Sequence, residues 1–528
     1  MDYEVIIFWF VCFSCLTGLV MATARVHSAG PGWLAVFLVI LTLSITGWLL
    51  EQRVLIYIAG GMWLVFVLLP GLLARFYQRR MLEQRYSAAR RLARIISWLH
   101  PIDGWRQQPE IIHAIELAQR GEKPAALAIL ERFRGTKSLA ARTAILQLYR
   151  ITSQWEEMIV WEAQNRDELE KIPHFPHFFL RARGETGDLD GLLALYDGQK
   201  HKIGKLNPPA IRDLCRLMLF GFCGKRELVE NLFAGSLAVI PAPTQHFWIA
   251  TADLAAGKRD VAKHEFELLL SAGDPPMRLA IERRLSRISD LASPLAPAAE
   301  GLIQSAALEY SHDERFGGRP TLFSRQARAN QVLIVLNLLM FVVEILLGGA
   351  SNPETLYRLG ALVPAAVRAG ESWRLAASLF LHFGPLHLAM NMIALWLLGP
   401  FVEFALGFRK FLLVYLLAGI GSMALVMAFA SGPMGEQMTV GASGCIMGLV
   451  GATGGLMLRG WMREKAASAR RRLAGLLLVI VMQTSFDALV PQVSMTAHLS
   501  GALIGFVATL VLRNRLEKSR RKKDSGEN

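Results

Sequence analysis

Cysteine is scarce in this chain, five residues in 528 with no pairing pattern, which excludes a disulfide scaffold. Cys12 and Cys15 form a CxxC inside an apolar run with no partner pair, so packing is expected there rather than zinc. Cys215 and Cys223 read as ordinary buried thiols, and nothing calls for a metal or cofactor. Acidic residues are also in deficit, 43 against 57 basic, for a net charge of +14. That imbalance invites a nucleic-acid role, but its location argues against one. Residues 75–94, 459–472 and 513–523 carry net +6, +5 and +6, more than the whole excess, and each flanks an uncharged apolar run. Lys and Arg beside apolar spans mark the cytoplasmic side of a membrane, so the excess is topological and no nucleic-acid partner is expected. Charge is missing altogether from Val5 to Ala24, Trp33 to Leu50 and Val54 to Ala74, runs long enough to cross a hydrocarbon core of about 30 Å. An apolar fraction of 53% and a mean hydropathy of +0.34 exclude an ordinary soluble protein. The leader Met1-Asp2-Tyr3-Glu4 is acidic where a secretory signal is basic, so the first run is expected to stay as a membrane helix.

Composition divides the chain into residues 1–75, three membrane helices; 76–325, a soluble helical region; 326–515, a second membrane region; and 516–528, a basic tail. The expected class is all-α and polytopic. In the soluble region apolar residues recur at i, i+3 and i+4, the helical period. Turn signals fall at Gly121-Glu122-Lys123, Gln154-Trp155-Glu156, Gly187-Asp188-Leu189, Gly224-Lys225-Arg226 and Gly257-Lys258-Arg259, spaced 33, 33, 37 and 33 residues apart. This resembles the tetratricopeptide repeat, whose helix pairs recur every ~34 residues and stack into a concave binding surface. A cytoplasmic protein or peptide partner is the expectation. The alternative for this region is a plain helical bundle.

Six spans are expected in the second membrane region, at about 332–348, 380–402, 409–430, 441–458, 473–490 and 495–512. The basic loops at Arg409-Lys410, Arg459–Arg472 and Arg513 onward alternate with loops poorer in basic charge. This places the soluble region and C-terminus in the cytoplasm and the N-terminus outside.

Ionisable residues inside spans are costly and by default functional. Ser443, His498 and His387 each fall near the start of a span running from outside to inside, so all three share one depth below the outer surface. Peptide hydrolysis needs a nucleophile, a base for its proton and donors for the developing oxyanion. Ser443 would attack, with His498 as general base and then general acid. Asn391 and His387, four apart on one helix face, would join the Ser443 backbone N–H at the oxyanion. With no Asp or Glu near His498 in sequence, a Ser-His dyad fits better than a triad. Gly441, Gly444, Gly448, Gly451 and Gly455 on one span, and Gly501 and Gly505 on another, permit the close helix approach that such a pair demands.

The residues Gly370-Glu371-Ser372-Trp373-Arg374, His382, His387-Leu388-Ala389-Met390-Asn391, Gly399-x-x-x-Glu403-x-x-x-Gly407, Gly441-Ala442-Ser443-Gly444 and Ala497-His498-x-x-Gly501-x-x-x-Gly505 occur in this order. Over roughly residues 330–515 the chain thereby resembles the rhomboid intramembrane serine proteases. The resemblance implies a Ser443/His498 dyad, an oxyanion site at His387 and Asn391, a cavity open to the outside, and a mobile fifth helix. It also implies single-span protein substrates drawn from the lipid bilayer and cut near the outer leaflet. A bacterial inner membrane is the expected location. One departure is Met447, where rhomboids usually carry an aromatic four residues after the nucleophile. Glu403 is expected to be structural, Trp373 and Arg374 to anchor the outer loop, and Glu344 to snorkel. The competing expectation is a non-catalytic rhomboid-like adaptor that binds membrane clients. A secondary transporter would need internal symmetry between helix sets, and none is evident.

Overall fold

The computed structural model describes residues 3–24, 30–135, 138–169, 175–206, 208–286, 297–317, 327–430, 438–490, 493–513 and 515–516. Most of the basic tail therefore lies outside the described residues. Two compact units form, residues 2–308 and 309–528. Among the described residues there is no β-strand, only one antiparallel bridge between Leu362 and Thr439. Among the described residues seven helices have the length and composition to cross a membrane, and Glu4–Val20 and Met495–Val511 are shorter apolar helices. The chain is an integral, multi-pass, all-helical membrane protein.

In the 2–308 unit, helices Tyr3–Ala24, Pro31–Leu49 and Arg53–Leu82 pack through Val11, Cys15, Phe37, Ile40 and Ala59. Trp63 Nε1 donates to Ser14 Oγ at 2.9 Å. Pro70 carries no N–H for the Phe66 carbonyl one turn earlier, and the helix passes through a π-helical stretch at Leu64–Leu68. His100, just after the helix Tyr86–Leu99, brings Nε2 to 2.8 Å from that carbonyl. Its ring stacks on Trp33 at 4.1 Å, and Asp103 Oδ1 accepts the Gly32 N–H at 2.8 Å. A carboxylate there meets the unpaired amides at the start of Pro31–Leu49.

Antiparallel helix pairs follow: Gln108–Gln119 with Lys123–Glu131, Leu139–Thr152 with Trp155–Gln164, Pro176–Thr186 with Leu189–Ile203, Pro209–Phe222 with Arg226–Ala234, and Ala242–Ala255 with Arg259–Ala272. Each pair turns at one of the five turn positions noted in the sequence. Gly121, Gly187, Gly224 and Gly257 have φ of +91°, +82°, +71° and +83°, the left-handed conformation that closes a helix end most easily with glycine. Ser153 takes the same role at +55°. Small residues let the helices of a pair meet, with Ala118 and Ala126 buried. Between pairs lies a polar-aromatic cluster. Glu185 takes Arg284 through two hydrogen bonds of 3.0 and 2.8 Å and Arg181 at 3.1 Å. Arg284 sits 4.3 Å from the Phe247 ring centre. Burial pushes the Glu185 carboxyl up, but the two guanidinium groups outweigh it and hold it below its ordinary value. Burial lowers Arg181 to about 10.

The 309–528 unit is built on Arg328–Leu346, Pro385–Leu406, Phe408–Phe429, Ser443–Glu464, Ala467–Leu489 and Met495–Val511. The two oxygens of Glu403 accept the backbone N–H groups of Ala329 and Asn330, both at 2.9 Å, and so cap the helix Arg328–Leu346. Glu344 does not snorkel. It is fully buried, because the loop ahead of Pro385–Leu406 folds over it and His382 donates its N–H to Glu344 Oε1 at 2.9 Å.

Candidate active site

Ser443 is the first residue of its helix, where the opening N–H groups have no intrahelical partner. His498 lies in the first turn of Met495–Val511, whose N-terminus is capped by the Ser494 hydroxyl on the Ala497 N–H at 3.2 Å. The two helices meet backbone to backbone. A Cβ on Gly501 would strike the Gly444 carbonyl, one on Gly505 the Gly448 carbonyl, and one on Gly451 the Ala502 carbonyl. A Cβ on Gly444 would lie 3.6 Å from the Ala497 carbonyl oxygen, so the neighbours of Ser443 and His498 face one another. Among the described residues no hydrogen bond joins Ser443 Oγ to His498. Apo sites often tighten only around substrate.

Two donors converge just before Ser443. The Phe383 N–H lies 3.3 Å from His387 Nδ1, which therefore accepts and leaves Nε2 as the donor. A Cβ placed on Gly441 would lie 2.9 Å from that Nε2 and 3.7 Å from Asn391 Nδ2. Gly441 has φ +126°, and its N–H is held by the Ser378 carbonyl at 2.9 Å. A side chain at 441 would thus fill the space these donors face. Asn391 is 7% exposed, yet its Nδ2 has no partner among the described residues. His382 is buried, with its ring edge-on to His387 at 5.3 Å.

Sequence reasoning missed two residues. His498 Nδ1 lies 2.8 Å from Asp487 Oδ2, and Gln483 Nε2 donates to Asp487 Oδ1 at 2.8 Å. This corrects the expectation that no carboxylate orients His498. The partner comes from the preceding helix, eleven residues back, across the bend into Met495–Val511. The signal was available, since Asp487 is the one carboxylate in the apolar run 473–490 and such residues are rarely incidental.

The motif at residues 370–374 also has a physical basis. Arg374 is buried and donates to the Tyr357 and Ala361 carbonyls at 2.6 and 3.1 Å and to Glu371 at 2.6 Å. Its guanidinium lies 4.2 Å from the Tyr357 ring centre and 4.9 Å from that of Trp373. Trp373 itself is 51% exposed. Met447 is buried on the Ser443 helix.

Residues 369–515 match the family model described as the Rhomboid domain. The chain is 33% identical over 195 residues to Rhomboid protease GluP of Bacillus subtilis, covering 37% of this chain and 35% of that protein. It is 38% identical over 191 residues to RHOMBOID-like protein 5 of Arabidopsis thaliana, covering 35% and 60% respectively. It is 32% identical over 149 residues to Putative rhomboid protease YdcA of Bacillus subtilis, covering 28% of this chain and 71% of that protein. Of the first two relatives, the chain thus spans less than two thirds of the length.

Proposed function

This chain belongs to the rhomboid family, and on that premise we propose that it is an intramembrane serine endopeptidase cutting the spans of membrane proteins. The observation that carries the proposal is the convergence of His387 Nε2 and Asn391 Nδ2 on the space beside Gly441, two residues before Ser443. In the proposed reaction Ser443 Oγ attacks the scissile carbonyl and passes its proton to His498 Nε2. His387, Asn391 and the Ser443 N–H take the developing oxyanion, each donor worth ~3–4 kcal/mol. His498 then protonates the leaving amine as the C–N bond breaks. Water, activated by the same imidazole, hydrolyses the acyl-serine and restores the hydroxyl.

The basic loops support a topology with the N-terminus outside and the helix pairs and C-terminus in the cytoplasm, and we propose a bacterial inner membrane as the location. Cleavage would then fall near the outer leaflet. The helix pairs are proposed to be tetratricopeptide-like repeats that bind a cytoplasmic protein or peptide. Deleting residues 108–286 from the full chain should remove specific co-purifying proteins, and an unchanged set would refute that role.

The competing reading, a non-catalytic adaptor, has one observation in its favour: Ser443 and His498 are not hydrogen-bonded. A fluorophosphonate probe separates the two. The peptidase should be labelled at Ser443, and Ser443→Ala should abolish labelling while retaining uncut single-span proteins. An unlabelled wild-type protein in bilayer would favour the adaptor.

A further inference from the structure

We propose that Asp487 is the positioning residue for His498, and that it ties the state of the catalytic base to the position of the helix Ala467–Leu489. This rests on the serine-peptidase reading above.

The geometry is specific. Asp487 is 4% exposed, with Oδ2 2.8 Å from His498 Nδ1 and Oδ1 taken by Gln483 Nε2 at 2.8 Å. Gln483 and Asp487 are four apart, on one helix face, so the amide holds the carboxylate in the orientation that meets the imidazole. A carboxylate accepts only, so Nδ1 must carry the hydrogen and Nε2 keeps the lone pair that a general base needs. The same carboxylate stabilises the imidazolium formed when the base takes its proton. Without it both tautomers compete, and one of them cannot accept the Ser443 proton.

The helix that supplies Asp487 is the least embedded of the bundle. Only 6% of its apolar window is buried, against 78% for the Ser443 helix. Ser468, Ala469 and Leu476 are buried in its first half, while in its second half Asp487 is the one buried residue among those described. Leu477, Val479 and Val481 stand 56%, 48% and 62% exposed. In lipid, apolar side chains gain little by leaving one apolar contact for another. The end of this helix is thus tied to the bundle by a polar contact to the base itself, alongside half-buried residues 482–486 and the buried Val490 that follows them. Any displacement of that end frees His498 to rotate and change tautomer, so chemistry proceeds only when the helix is back in place.

The test uses the full chain in bilayer nanodiscs with a fluorophosphonate probe, separating the maximal labelling rate from the half-saturating concentration. Asp487→Ala should lower the maximal rate by about tenfold or more, with half-saturation within about twofold. Asp487→Asn, whose Oδ1 stays with the Gln483 amide and whose Nδ2 then donates to Nδ1, fixes the wrong tautomer and should fall at least as far, and Leu489→Ala on the same helix end should label as wild type. A nitroxide at position 489 should become more mobile in Asp487→Ala. If that protein does not fold, isosteric Asp487→Asn carries the test through its rate. Labelling of Asp487→Ala at the wild-type rate, a loss matched by Leu489→Ala, or an immobile nitroxide would overturn the proposal while leaving the peptidase reading intact. An unlabelled wild type would sink both.

Discussion

The two compact units bury their helices by different means. In the 2–308 unit the helix pairs close on bulky side chains: Trp155, Phe220 and Phe266 are completely buried. In the 309–528 unit the Ser443 and His498 helices meet at Gly501, Gly505 and Gly451 against backbone carbonyls, with no side chain between. Water drives large apolar groups together, whereas lipid is as apolar as leucine and rewards only close approach. Three buried glutamates differ in the same way, although Asp487 is held by the Gln483 and His498 side chains. Glu185 is balanced by two guanidinium groups, while Glu403 and Glu344 are met by backbone N–H groups.

The contrast is broken most severely at the glycines. Gly505→Val would push a branched side chain into the Gly448 carbonyl, and we expect loss of a monodisperse species in detergent together with all fluorophosphonate labelling. Gly475→Ala, on a helix face with nothing within 4 Å, should be silent. Equal tolerance at both sites would show that glycine packing does not hold the bundle. In the other unit Trp155→Ala should cost about 3–5 kcal/mol, read as faster hydrogen exchange through Leu139–Thr152 and Pro176–Thr186. Arg284→Met leaves Glu185 with Arg181 alone and should cost about 3 kcal/mol by the same measurement.

A smaller effect sharpens the difference in how acids are held. Glu185 is depressed in the folded state, so its contribution is present above the ordinary carboxylate range and is lost as pH falls through the depressed value. Acid titration followed by tryptophan fluorescence should show the 2–308 unit holding its packing to below that range. Glu185→Gln should remove the acid-dependent step, and an unchanged profile would refute the linkage. Smallest of all, Ser153→Gly relieves a left-handed serine and should stabilise that turn by about 1 kcal/mol, measured as slower local exchange.

Much of the architecture was legible because it rests on patterns along the chain. The span limits follow from uncharged runs, and the turns from glycines at positions 121, 187, 224 and 257 that a left-handed residue requires. The turn at Ser153 was found by spacing alone. At the candidate site His387, Asn391, Gly441 and Ser443 were legible because helical spacing and a glycine-rich helix start place them by local geometry. Asp487 was not, because its partner lies across a bend in the chain, where sequence distance says nothing about contact. Glu344 was misjudged for a related reason: position near a helix end suggested an exposed head group, and only the folded loop shows His382 lying over it.

Pro70 has a practical consequence for dissecting this protein. The Phe66 carbonyl that it leaves without its usual donor is met by His100, and the Gly32 amide by Asp103. A shortened protein ending at the last apolar residue of the third run would bare that carbonyl to lipid. One beginning just beyond it would leave His100 and Asp103 without Trp33, the Phe66 carbonyl and the Gly32 amide. A piece holding the first three helices must therefore run at least to Trp105 to keep both of their borrowed partners, and a cut there parts Ala89 and Ala93 from Ile112.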